Sequence, residues 1–145
     1  MHQFNKYIHE GEAFIQEIAN ETETPWDLVR GHRFLRAVLH ALRMRLTPSA
    51  SLQLISQFPM LIKAIYVDGW KITDESQTLR TPGDFIEAVR AAGGVGLIAE
   101  FVTDNEVNKA IHAVFAVIKQ HVSEGEIKDV LATLPAKLRP MLEQA

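Results

Sequence analysis

Between His32 and Pro48 the chain reads HRFLRAVLHALRMRLTP, with four arginines, two histidines and no acid. Arg33, Arg36, His40 and Arg43 recur every three or four residues, the spacing that lines side chains up on one face of an α-helix. Guanidinium and imidazole groups in such a row suit anions, either carboxylates on a protein surface or phosphates of a nucleic acid. Phe34, Leu35, Val38, Leu42 and Leu46 fall on the nearly opposite face. Leu35, Val38, Leu42 and Leu46 can each contribute roughly 1.5–3 kcal/mol when fully buried. Burial therefore decides which face turns inward, and the cations are left outside. Arg33, Arg36, His40 and Arg43 form the first candidate binding surface. The plainer expectation is a solvated face partly neutralised by Glu10, Glu12, Glu17, Glu21 or Glu23.

Other reactive side chains form no recognisable constellation. The six histidines include no HExxH pair, and His32 and His40 lie too far apart on one helix to share a metal. No metal site and no cofactor are expected. Asp27, Asp84, Glu106 and Glu126 sit at helix starts, where capping and the helix dipole account for them. Glu100 is the acid nearest an apolar run and is read as the wet side of a short helix. Ser49, Ser51, Ser56, Ser76 and Ser123 lack the glycines of a nucleophile elbow. AAGGVG (91–96) lacks the Gly-Lys-Ser/Thr of a phosphate loop and reads as a helix end and turn. No catalytic residue emerges, and an enzyme is the least supported class. Tyr66 and Trp70, with Trp26, are the remaining feature. Rings beside an irregular segment either pin it to the core or edge a small apolar groove, so Tyr66 and Trp70 form a second candidate site.

The 145 residues carry a net charge of −3 and no cysteine, with 47% apolar and 23% charged residues. This composition is that of a soluble globular chain with no bulk attraction to nucleic acid. The lack of cysteine removes disulfides and thiolate chemistry and suits a reducing cytoplasm. The N-terminal stretch has no basic region followed by an apolar core, and no window reaches the ~18–20 apolar residues of a membrane span. Neither a signal peptide nor a transmembrane segment is expected. Charge is unevenly spread. Residues 1–28 set Lys6 against five glutamates and Asp27, net −5; residues 29–67 hold five arginines and Lys63 without an acid, net +6.

The elements that must hold these residues read as two similar halves. An offset of 76 residues lays 37–66 on 113–142 without a gap, matching Ala37/Ala113, Val38/Val114 and Pro59/Pro135. The apolar register agrees from Leu39/Phe115 to Ile65/Met141, as do Arg43/Lys119 and the caps Thr47/Ser123. The stripe is diluted in the second half, where Lys109, His112 and Ala116 replace Arg33, Arg36 and His40. TPWD (24–27) and TPGD (81–84) both read as Thr caps with Pro in the first turn, and TDNE (103–106) and SEGE (123–126) as capping boxes. Helices are predicted over 3–20, 25–46, 48–57, 59–67, 82–91, 94–101, 104–121, 124–133 and 135–143, with no period-2 strand pattern. The expected architecture is all-α: one domain, 1–145, of two tandem three- to four-helix repeats, about 3–67 and 82–143, joined by a connection over about 68–81.

The segments LRAVLHALRMRL, QFPMLIKAIYVDGW, DFIEAV and HVSEGEIKDVLATLP resemble a bacterial family, domain of unknown function 2267, across about Pro25 to Met141. The resemblance implies a small all-helical bacterial protein and carries no activity. Met44 departs from it, standing where many members have an acid before the last arginine of the helix. The functional expectation is a non-enzymatic interaction module whose basic face, 30–45, binds an acidic protein surface. The alternatives are phosphate-backbone nucleic-acid binding through the same arginines, and a small apolar ligand in a groove between the repeats.

Overall fold

The computed structural model describes residues 2–72 and 79–145. The middle of the expected connection, 73–78, with Ser76, lies outside the described residues. The described residues form α1 (His2–Glu21), α2 (Leu28–Arg45), α3 (Pro48–Ile55), α4 (Met60–Val67), α5 (Pro82–Gly93), a 3-10 turn (Val95–Leu97), α6 (Asp104–His121), α7 (Glu124–Thr133) and α8 (Arg139–Glu143), with no strand among them. The order recurs: a helix, a long central helix and two short ones. The second series differs in a shorter first helix, 12 residues in α5 against 20 in α1, and a shorter last one.

Hydrophobic burial places α2 and α6 at the centre. Leu35, Val38, Leu39, Val114 and Val117 are wholly buried, and side chains from both halves join one core with Phe14, Ile18, Leu54, Ile62 and Tyr66. α2 touches α1, α4, α5 and α6. Its contact with α1 is close enough that a Cβ on Gly31 would lie 3.2 Å from the Ile15 carbonyl oxygen. α3 packs on α7, and Gln57 bridges the halves there by accepting from Ser123 N at 2.7 Å.

The caps explain most boundaries and correct several expectations. Thr81 caps α5 with a reciprocal Thr81–Asp84 box and Pro82 in the first turn. Thr47, Thr103 and Ser123 each accept from the backbone three residues on. The other half of the Ser123 box is not made by Glu126, because Gln57 occupies Ser123 N. The TPWD reading fails: Asp27, not Thr24, caps α2 by accepting from Arg30 N at 3.0 Å. Thr24 is still engaged in closing α1. Its N–H donates to Ala19 O and the Glu23 N–H to Asn20 O, with Glu23 left-handed at φ 62°. That pairing of bonds ends a helix and forces a turn before the next.

Two predicted helices are reduced. The 94–101 segment forms only the 3-10 turn, because Gly94 at φ 58° breaks the chain direction and Leu97 and Phe101 fold back onto Gly93. A Cβ on Gly93 would lie 3.0 Å from Leu97 Cδ1. The 135–143 segment starts as a turn, with Leu138 N on Pro135 O, and becomes helical only at Arg139. Pro140 has no N–H and its ring clashes with the carbonyl four residues back, so it fits a first turn and not an interior.

The reassigned cap is directly testable. Asp27→Ala should lower unfolding free energy by about 1 kcal/mol, whereas Pro25→Ala should stay within about 0.5 kcal/mol. Urea denaturation followed by circular dichroism reads both, and equal effects would return the helix start to the Thr-Pro pair.

Candidate functional site: the basic face of helix α2

Val29, Arg33, Arg36, His40 and Arg43 follow one line along α2, three or four residues apart. The structure divides that line in two. At its C-terminal end, α4 stops against α2 and presents backbone carbonyls that have no partner within their own helix. His40 is only 7% exposed, and its Nε2 lies 2.8 Å from Ile65 O. A carbonyl can only accept, so Nε2 carries the proton. Arg43 donates through Nη1 to Tyr66 O at 2.7 Å and to Asp68 O at 2.8 Å. These two cations of the sequence reading therefore close the C-terminus of α4, where donors and positive charge are favourable.

Burial lowers the His40 pKa. The Ile65 carbonyl works against this, the Arg43 and Arg36 charges add to the lowering, and Asp68 opposes them. His40 is thus a neutral donor at neutral pH. Burial also lowers Arg43 from its ordinary value, with Arg36 contributing. The lowering leaves Arg43 cationic, because a guanidinium keeps its proton in proteins.

The N-terminal part of the line is open. Arg33 and Arg36 are exposed. Arg33 has a 3.5 Å contact to Gly96 O, and Arg36 lies 4.0 Å from an Asp68 carboxylate oxygen. The acids of α1 do not reach either one among the described residues: Glu10 faces Lys6, and Glu17 meets His121 Nε2 at 2.7 Å. Arg30 is spent elsewhere, donating to Thr24 Oγ1 at 2.8 Å with its guanidinium 4.5 Å from the Phe34 ring centre. The expected neutralisation by α1 is replaced by backbone carbonyls at one end of the line and solvent at the other.

The second candidate is corrected. Tyr66 does not edge a groove: it is wholly buried, with its hydroxyl 2.6 Å from Ser51 Oγ. Phe58 and Trp70 meet its ring edge-on, at 6.4 and 5.7 Å. Burial raises its phenol well above the ordinary tyrosine range. The rings pin the chain after α4 onto the core. Among the described residues, one cavity is a void of about 10 Å³ lined only by apolar residues such as Leu42, Leu54, Phe115 and Val130. It is too small for a ligand. Another is a cleft of about 700 Å³ between the α1–α2 turn and α6 and α8. Its walls mix Glu21, Glu23, Glu100 and Glu106 with Arg30 and Lys109. Neither involves Tyr66 or Trp70. The sequence gives no sign of the cleft, because its walls come from four separated segments.

One acid was read only as a helix start and proves buried. Glu126 is 6% exposed, and burial, then the Asp129 charge, raise its pKa against a hydrogen bond from Gln53. It sits where α3 meets α7 and acts as part of that contact. Among the described residues no three metal-ligating side chains converge, and no helix is long and apolar enough to cross a membrane.

Separate roles along one line predict separate effects. Arg43→Met strands two carbonyls and should cost about 1–3 kcal/mol, while Arg33→Met should cost under about 0.5 kcal/mol. Chemical denaturation of both variants checks this. The His40 pKa is lowered in the folded state, so its contribution is present above the ordinary histidine value and is lost as pH falls below it. The drop in urea midpoint between pH 7.5 and 5.5 should therefore shrink in His40→Gln, which keeps a donor and does not titrate. An unchanged drop would show that His40 does not set this dependence.

No curated protein matches the chain. The family described as "Uncharacterized conserved protein (DUF2267)" matches residues 11–141. That span includes α2, α6, both halves of the core and every residue of the basic line, and the chain belongs to this family.

Proposed function

We propose that the protein is a non-enzymatic interaction module of the bacterial cytoplasm, and that Arg33 and Arg36 bind an acidic protein surface. One observation carries the reading: these two cations stand exposed on successive turns of a rigid, buried-backed helix, with no carboxylate closer than 4.0 Å among the described residues. His40 and Arg43 belong to the same candidate face as its support. They lock α4 onto α2 and so hold the helix under the two exposed arginines.

Nucleic-acid binding through the same residues has less in its favour. Two open arginines neutralise few phosphates, and a net charge of −3 opposes a polyanion. A small apolar ligand finds little support, since the larger cleft is lined by charged groups.

Arg33→Glu/Arg36→Glu should abolish partner recovery in a pull-down from the source cell's lysate while leaving helicity and urea midpoint unchanged. Recovery of the same partners by the variant defeats the proposal. Retention of the wild type on duplex DNA at low salt, lost in the variant, would favour the nucleic-acid reading instead.

A further inference from the structure

The open arginines do not stand alone. Val29 shares their line and is exposed, and Trp26 just before the helix is 79% exposed. On the other side the 3-10 turn runs past Arg33, with the Arg33 side chain lying against Gly96. That turn holds Leu97 inward and leaves Val95 87% and Ile98 66% exposed. It is firmly seated: Leu97 and Phe101 pack on Gly93, Phe101 stacks on Phe34 at 5.5 Å and 9°, and Arg90 Nε donates to Phe101 O at 3.1 Å. The aliphatic side chains are therefore held out by a fixed backbone. A tryptophan and arginines beside exposed aliphatics are the composition of an interface centre.

We infer that the face formed by Val29, Arg33, Arg36, Val95 and Ile98 receives an amphipathic acidic helix of a protein partner. The inference rests on the reading of Arg33 and Arg36 as an acid-binding pair and adds the shape and apolar content of what binds. Charge complementarity selects the occupant. The arginines are three residues apart on one helix, so they face carboxylates one turn apart on another. Val29, Val95 and Ile98 beside them call for aliphatic side chains on that same partner helix, the pattern by which grooves read helices. An anionic bilayer is disfavoured by the net charge and by Glu21 and Glu23, which precede Trp26 in the chain.

The test is a titration of ¹⁵N-labelled full-length protein, at 150 mM salt, with three synthetic 16-residue peptides. The first is a helix with glutamates flanking a leucine stripe, the second its scrambled isomer of equal charge, the third its lysine-for-glutamate analogue. Anionic and neutral phospholipid vesicles form a separate arm. The expected result is amide shifts confined to 28–37 and 94–102 with the first peptide, and at least tenfold weaker binding of the scrambled isomer. Affinity should also fall at least tenfold in Arg33→Glu/Arg36→Glu and in Val29→Asp/Ile98→Asp, and stay unchanged in the distant Leu52→Asp. Equal binding of the scrambled isomer overturns the amphipathic helix and leaves the acid-binding pair standing. Binding of neither acidic peptide, or binding of the lysine analogue or vesicles in their place, overturns both.

Discussion

The fold depends on α2 being buried on most of its circumference. Phe34, Leu35, Ala37, Val38, Leu39, Ala41 and Leu42 are all buried, so over 37–42 the helix has no solvent face. A polar side chain held there must find a partner or carry an unmet desolvation cost. α4 supplies the partners. Its last carbonyls have no acceptor role inside their own helix, and they end against the two residues, His40 and Arg43, that can only donate to them. One contact thus satisfies both sides: the two donors leave solvent without being orphaned, and the carbonyls at the α4 terminus gain partners beside the Asp68–Gly69 turn.

The same device recurs in the second half, and this separates structural cations from the others. Lys119, matched to Arg43 in the sequence alignment of the halves, donates through Nζ to Glu143 O and Ala145 O, both at 2.9 Å. Glu143 ends α8, which follows α7 as α4 follows α3, and Ala145 lies two residues beyond it. The recurring cation therefore does recurring work in the fold. Arg139 does similar work at the end of α7, donating to Leu131 O and Leu134 O. Arg33 and Arg36 close no helix end. Lys109 and His112, which the 76-residue offset lays on them, line the cleft beside α8 instead.

Helix identity was largely legible in the sequence, because apolar register and caps are local signals. α6 and α7 begin and end at the predicted residues, set by Thr103, Ser123 and a strict 3.6-residue pattern. The errors arise where a distant residue outcompetes a local one. Thr-Pro at 24–25 has the form of a helix start, but Thr24 is held by the end of α1 and Asp27 takes the cap. Gln57 displaces Glu126 from the Ser123 backbone across 66 residues. Arg33, Arg36, His40 and Arg43 lie along one helix, but His40 is buried and not left outside as its place opposite the leucines suggests. What covers half of that line could not be seen, because a backbone carbonyl leaves no trace in the residue types around it.

This distinction also bears on chemistry. General acid–base or nucleophilic work needs a titratable group aimed at open space with its pKa tuned to the task. The groups whose pKa values move most informatively here point at protein. Burial keeps His40 neutral against the opposing Ile65 carbonyl, raises the Tyr66 phenol despite its Ser51 partner, and raises Glu126 in the α3–α7 contact, with the Asp129 charge adding to it. In each case the perturbation is the consequence of packing, and the group is already used. Arg33 and Arg36, which stay exposed, are permanently protonated and can offer hydrogen bonds and field but no proton transfer. Permanent donors beside fixed aliphatics can offer a partner charge, hydrogen bonds and apolar contact, whereas the histidine and the tyrosine are absorbed into the fold.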